Sequence, residues 1–75
     1  MKYSARQRAV AAALRKAREA AGLSQRQLSE RLQQPPNWIQ RIESLERRVD
    51  VAEFIAIAKA LGAEPAELFQ DALDG

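Results

Sequence analysis

The chain contains no cysteine and no histidine. Without thiols it forms neither a disulfide nor a thiolate zinc site, and nothing in it argues for an oxidising compartment. Catalysis would fall to carboxylates, lysine or hydroxyls in a pocket, and 75 residues leave little interior for one. We therefore expect no enzyme and no cofactor. Long apolar runs are also missing, and none approaches the roughly 20 residues of a membrane span. The basic start MKYSARQR leads into AVAAAL, which Arg15 interrupts before it could serve as a secretory leader. There is no internal repeat, low-complexity tract or long linker. Glycine and proline occur three times each, so each one present punctuates the chain. These absences predict a cytoplasmic chain forming one domain over residues 1–75, with a modest core and marginal stability.

The charge that is present is unevenly placed. Residues 1–48 hold eleven Lys/Arg against four acids, and residues 49–75 hold Lys59 against six acids. A basic front half and an acidic back half make a dipolar molecule able to orient on a polyanion. Two solvated faces would look the same, so the motif inside the basic half has to decide.

That motif is the stretch SQRQLSERLQQPPNWIQRIE, Ser24 to Glu43. Ser24 is a helix cap and Gln27 its capping-box partner. Leu28 and Leu32 lie four apart, on one side of a helix that ends at Gln33-Gln34. Pro35-Pro36 restarts the chain, because proline is tolerated where a helix begins. Ile39 and Ile42 form the buried stripe of a second short helix, over about residues 36–43. Asn37, Gln40 and Arg41 point elsewhere, a polar front of amides and arginine. Two such helices joined by a tight turn, about residues 25–44, predict a helix-turn-helix whose second helix suits the DNA major groove. Asn or Gln can pair bidentately with adenine and Arg with guanine, which makes Asn37, Gln40 and above all Arg41 candidate base readers.

The runs LRKAREAAGLSQRQLSERL, WIQRIE and DVAEFIAIAKALGAEPAELF carry more than a generic pattern. Over roughly residues 10 to 70 the chain resembles the Cro- and phage-repressor-like helix-turn-helix regulators, the xenobiotic-response-element (XRE) family. The resemblance implies an all-α fold: a compact five-helix lambda-repressor-like DNA-binding domain. It implies that Gln25 binds phosphate and braces the reading helix, and that Arg18 pairs with Glu43 to tie the first helix to the third. It implies backbone contacts from the loop Ser44-Leu45-Glu46-Arg47-Arg48, with Arg47 and Arg48 as phosphate ligands; Leu45 itself reads as a cap on the core. It also implies a homodimer on a palindromic operator in double-stranded DNA, usually as a repressor, with half-sites about one helical turn (~34 Å) apart.

Three positions depart from the family pattern. Gln33 and Leu45 stand where members carry glycine, and Pro35 stands where they carry a Ser or Thr cap. Gln33 in a left-handed conformation would cost up to about 1–2 kcal/mol. The proline removes the usual cap contact and leaves Pro36 and Asn37 to meet the groove, where a proline ring can pack on a thymine methyl. Trp38 is ambiguous. On a short amphipathic helix tryptophan is usually core, but here it aligns with a DNA-facing family position, and Ile39 and Ile42 already define a core side. We place it near the DNA backbone or base edges, with packing or a dimer contact as the alternative.

Elsewhere the chain reads as three more helices. Ser4 caps the first, over residues 4–21, with Val10, Leu14, Ala17 and Ala21 on one face and Gly22 as the stop. Asp50 and Glu53 open the fourth, whose stripe Phe54, Ala58 and Leu61 is widened by Val51, Ile55 and Ile57 before Gly62 ends it. Glu64-Pro65 opens the last, with Leu68, Phe69 and Leu73 on its apolar side. Phe69 and Leu73 exceed what a small core needs and are candidates for a dimer interface. No small-molecule effector pocket is expected. A protein-interaction module docking through Pro35 and Trp38 is the alternative function.

Overall fold

Three helices of the protein start on one device. Ser4, Ser24 and Asp50 each accept a hydrogen bond from the backbone N–H three residues on, while the side chains of Gln7, Gln27 and Glu53 reach back to the cap's own N–H. These capping boxes satisfy donors that a helix start otherwise leaves unpaired. They set α1 at Ala5–Ala20, α2 at Gln25–Arg31 and α4 at Val51–Ala60. In α5, Pro65–Asp74, proline takes the first position and the Glu64 carboxylate accepts from the Ala66 N–H at 3.2 Å. The structure is a computed structural model describing residues 3–75. Met1 and Lys2, which belong to the basic start weighed above as a leader, lie outside the described residues.

α3, Trp38–Glu43, starts differently. The helix expected from about residue 36 begins two residues later. Asn37, at φ −98° and ψ 10°, lies in the bridge region and makes no side-chain cap bond. The Pro35 carbonyl accepts from the Trp38 N–H at 2.9 Å. Pro35-Pro36-Asn37 therefore form a turn ahead of the helix rather than its first coil.

All five helices contribute to one core, in which Leu14, Leu28, Ile39, Ile42, Ile57 and Leu68 are among the buried residues. α1 packs on α5 and α3, α2 on α3 and α4, and α4 on α5. The described residues form an all-α fold measuring 29 × 25 × 21 Å.

Two expectations about α4 need correction. Val51 (77% exposed) and Ile55 (39%) do not widen its buried stripe. The helix is apolar nearly all round, but α2 and α5 cover only the Phe54, Ile57 and Ala58 side. On α5, Phe69 and Leu73 are 51% and 44% exposed. Phe69 also meets Phe54 edge-on, with ring centroids 6.1 Å apart at 87°.

Candidate nucleic-acid interface

The site is built on how α3 is held. Ser29, fully buried on α2, donates from Oγ to the Gln25 carbonyl at 2.9 Å and accepts from the Ile39 N–H at 3.0 Å. The first turn of α3 gets from the Ser29 hydroxyl the acceptor that the Asn37 side chain does not supply. Sequence reasoning missed this residue. Its only signal was position: Ser29 adjoins Leu28 at the edge of the α2 apolar stripe.

The far end of α3 is tied to both preceding helices. Arg18 donates to Glu43 twice, from Nε at 2.7 Å and from a terminal nitrogen at 3.1 Å, and its other terminal nitrogen donates to the Leu23 carbonyl at 2.7 Å. The Gln25 amide donates to Glu43 Oε1 at 2.9 Å. The Arg18 and Glu43 side chains are 11% and 5% exposed, so this is a desolvated, bidentate pair in which each Arg18 side-chain nitrogen has an acceptor. The hydrogen bond to Glu43 holds the Arg18 guanidinium above its ordinary pKa, against the opposing effect of burial.

Trp38 requires a correction. It is 7% exposed and lies in the core cluster, not on an open face. The reason is helical spacing: Trp38 stands one turn ahead of Ile42, so the two share a side and the buried stripe is Trp38-Ile39-Ile42. The Arg47 guanidinium lies over the indole, 4.9 Å from its ring centroid. Arg47 is also committed elsewhere. It donates to both carboxylate oxygens of Glu53, at 2.9 and 2.7 Å, and to the Arg48 carbonyl at 2.8 Å. These bonds hold Glu53 below the usual carboxylate range and raise Arg47. Arg47 thus clamps the α3–α4 loop to α4, a role at odds with that of a free phosphate ligand.

What remains outward is a compact polar row. Pro36, Asn37, Arg41 and Ser44 are exposed and Gln40 is half-buried. Arg48 is exposed in the following loop. A second residue that sequence reasoning missed sits among them. Glu46 accepts from the Ser44 hydroxyl at 2.7 Å and from the Gln40 amide at 3.2 Å. The Ser44 bond, then the Gln40 bond, and the positive charge of Arg41 hold Glu46 below the usual carboxylate range. It leaves one Gln40 N–H and its carbonyl unspent. Leu45, at φ 65°, turns the chain so that Glu46 folds back onto this row.

A family profile described as a helix-turn-helix domain matches residues 9–69. Among solved structures, an XRE-family like protein from Pseudomonas syringae pv. tomato str. DC3000 is 36% identical, with a TM-score of 0.85. That match covers 93% of this chain and 85% of the other. The chain belongs to the XRE family of helix-turn-helix regulators. Membership makes it a DNA-binding regulator, with α2 and α3 as its helix-turn-helix. No curated protein gives a significant match. Among the described residues, no helix is long and apolar enough to cross a membrane. A cavity of about 180 Å³ lies between the start of α1 and the loop after α3.

Proposed function

We propose that this XRE-family regulator reads a palindromic operator as a cytoplasmic homodimer and represses a nearby promoter. In this reading α3 enters the major groove. The observation that carries it is the contrast between the two sides of α3. One side is locked by Ser29, Glu43 and the Trp38-Ile39-Ile42 stripe. The other presents Asn37, Gln40 and Arg41, and Arg41 is in no ion pair among the described residues. A rigid back and a free polar front are what base readout requires, since a loosely held donor discriminates poorly. Arg41 reads guanine; Asn37 and Gln40 read adenine; Pro36 packs on a thymine methyl. Gln25 and Arg48 contact the phosphate backbone, adding sequence-independent, salt-sensitive affinity, while the Ser44 hydroxyl stays with Glu46. Phe69 and Leu73 pair with a second copy. The rival reading, a protein-docking module, leaned on an exposed Trp38, and burial of that ring removes its main support.

The test is binding of purified protein to DNA fragments selected from its own genome, across a salt series, beside Arg41→Ala. Wild-type binding is expected to weaken steeply with salt. The variant is expected to lose about 1–3 kcal/mol of discrimination between selected and random DNA. Equal binding to selected and random fragments by the wild type would defeat the proposal.

A further inference from the structure

The cavity between the start of α1 and the loop after α3 has an apolar floor and a cationic mouth. Ala11 and Ile42 at its base belong to the buried interior, and Val10, Leu45 and Val49 beside them are half-buried. Water entering such a floor finds few partners. An enclosed apolar cavity of ~150 Å³ in another protein accepts benzene; this one, half open to solvent at about 180 Å³, has room for a body of that size with one edge in water.

The mouth carries three arginines, and their states differ. Arg47 is spent on Glu53. Arg6 and Arg48 have no carboxylate partner among the described residues, and no described residue lining the cavity is acidic. The Arg48 guanidinium lies over the Tyr3 ring, 5.6 Å from its centroid, which keeps a flat, weakly hydrated cation beside the opening without neutralising it. Two uncompensated guanidiniums above an apolar floor ask for an anion with a hydrophobic body. Guanidinium pairs carboxylate in a fork geometry, which adds orientation to charge. Inorganic phosphate would waste the floor, and a long acyl chain would exceed the volume.

We propose that this cavity binds a small monocarboxylic acid whose apolar part is about the size of a phenyl ring. The carboxylate sits between Arg6 and Arg48, and the ring lies against Val10, Leu45 and Val49. The occupant also touches Ile42 of α3 and the loop that follows it. The proposal concerns the protein without DNA, so it stands or falls separately from the operator reading.

The experiment is an amide ¹H–¹⁵N titration of the intact chain with sodium benzoate. Benzamide serves as the neutral isostere and acetate as the anion without a ring, all at matched ionic strength. Saturable benzoate shifts are expected at Tyr3, Val10, Leu45 and Val49, with benzamide and acetate each about tenfold weaker or worse. The double variant Arg6→Gln/Arg48→Gln is expected to weaken benzoate by about tenfold and leave benzamide unchanged. Both positions are exposed, and the wild-type comparison of three probes does not depend on that variant. Benzoate that binds no tighter than acetate would overturn the proposal. So would non-saturating shifts that spread equally to Arg15, Arg26 and Arg31.

Discussion

The ends of α1 and α4 and the ends of α2 and α3 share one hydrogen-bond pattern and differ in the residue that closes it. In each, the residue after the cap takes positive φ, and two N–H groups reach back to carbonyls of the last turn. At α1, Gly22 donates to Glu19 and Leu23 to Arg18; at α4, Gly62 donates to Lys59 and Ala63 to Ala58. At α2, Gln33 donates to Glu30 and Gln34 to Ser29; at α3, Leu45 donates to Ile42 and Glu46 to Arg41. Gly22 and Gly62, both at φ 73°, adopt this conformation without strain, whereas Gln33 and Leu45, at 57° and 65°, carry a side chain into it. The disfavoured backbone therefore brackets the one helix that carries the polar row. Such strain persists only where surrounding contacts over-determine the conformation. Here those contacts are the Arg18–Glu43 pair, the Ser29 hydroxyl and the Arg47 clamp over Trp38.

The largest way to break this contrast is to remove what holds α3. Arg18→Ala leaves Glu43 buried with only the Gln25 amide, and is expected to cost about 3–5 kcal/mol, read from denaturant unfolding. A loss below about 1 kcal/mol, the size typical of an exposed pair, would mean that the network does not hold the helix. Next come the glycine ends. A Cβ at Gly62 would meet nothing within 4 Å, so Gly62→Ala isolates the backbone cost, expected at about 1–2 kcal/mol. At the strained ends the sign reverses. Gln33 is exposed, and Gln33→Gly is expected to stabilise by about 1 kcal/mol, with Leu45→Gly gaining less because a half-buried side chain is lost. If Gln33→Gly gains nothing, the difference between the two kinds of helix end is only one of composition.

The smallest effect concerns pH. Glu53 has its folded pKa lowered by Arg47 and by the Asp50 backbone. A depressed carboxylate contributes stability above its unfolded pKa and loses it as pH falls through the folded value. Acidification below the ordinary carboxylate range should therefore remove roughly 1 kcal/mol or less, and Glu53→Gln should flatten that part of the curve. Circular dichroism melts between neutral and acid pH would measure both.

Much of this was legible in residue order, and the failures have physical causes. The capping boxes at Ser24 and Asp50 are local, since both partners lie within one turn of chain, and they could be read directly. The glycine stops are local for the same reason. Trp38 was misassigned because two isoleucines were taken as the whole stripe, although the four-residue step to Ile42 put the tryptophan on the same side. Ser29 escaped because the Ile39 N–H it serves lies across the turn, and a polar residue in sequence gives no sign of which distant backbone group it meets. Glu46 escaped because the Ser44 and Gln40 side chains come within its reach only where Leu45 turns the chain. Arg47 looked like a free cation until Glu53 and the indole were seen to share it.

The order of residues by itself determined the all-α class, the helix starts and stops, and the amphipathic faces, because these depend on groups a few residues apart. Family resemblance suggested the Arg18–Glu43 pair, which residue order alone could not. Tertiary structure decided the locking of α3 from α1 and α2 and the sharing of Arg47 between Glu53 on α4 and the Trp38 ring on α3. It also opened the arginine-rimmed cavity. Each of these needs groups from separate helices or loops to meet, and a linear pattern does not record which distant groups will be desolvated together.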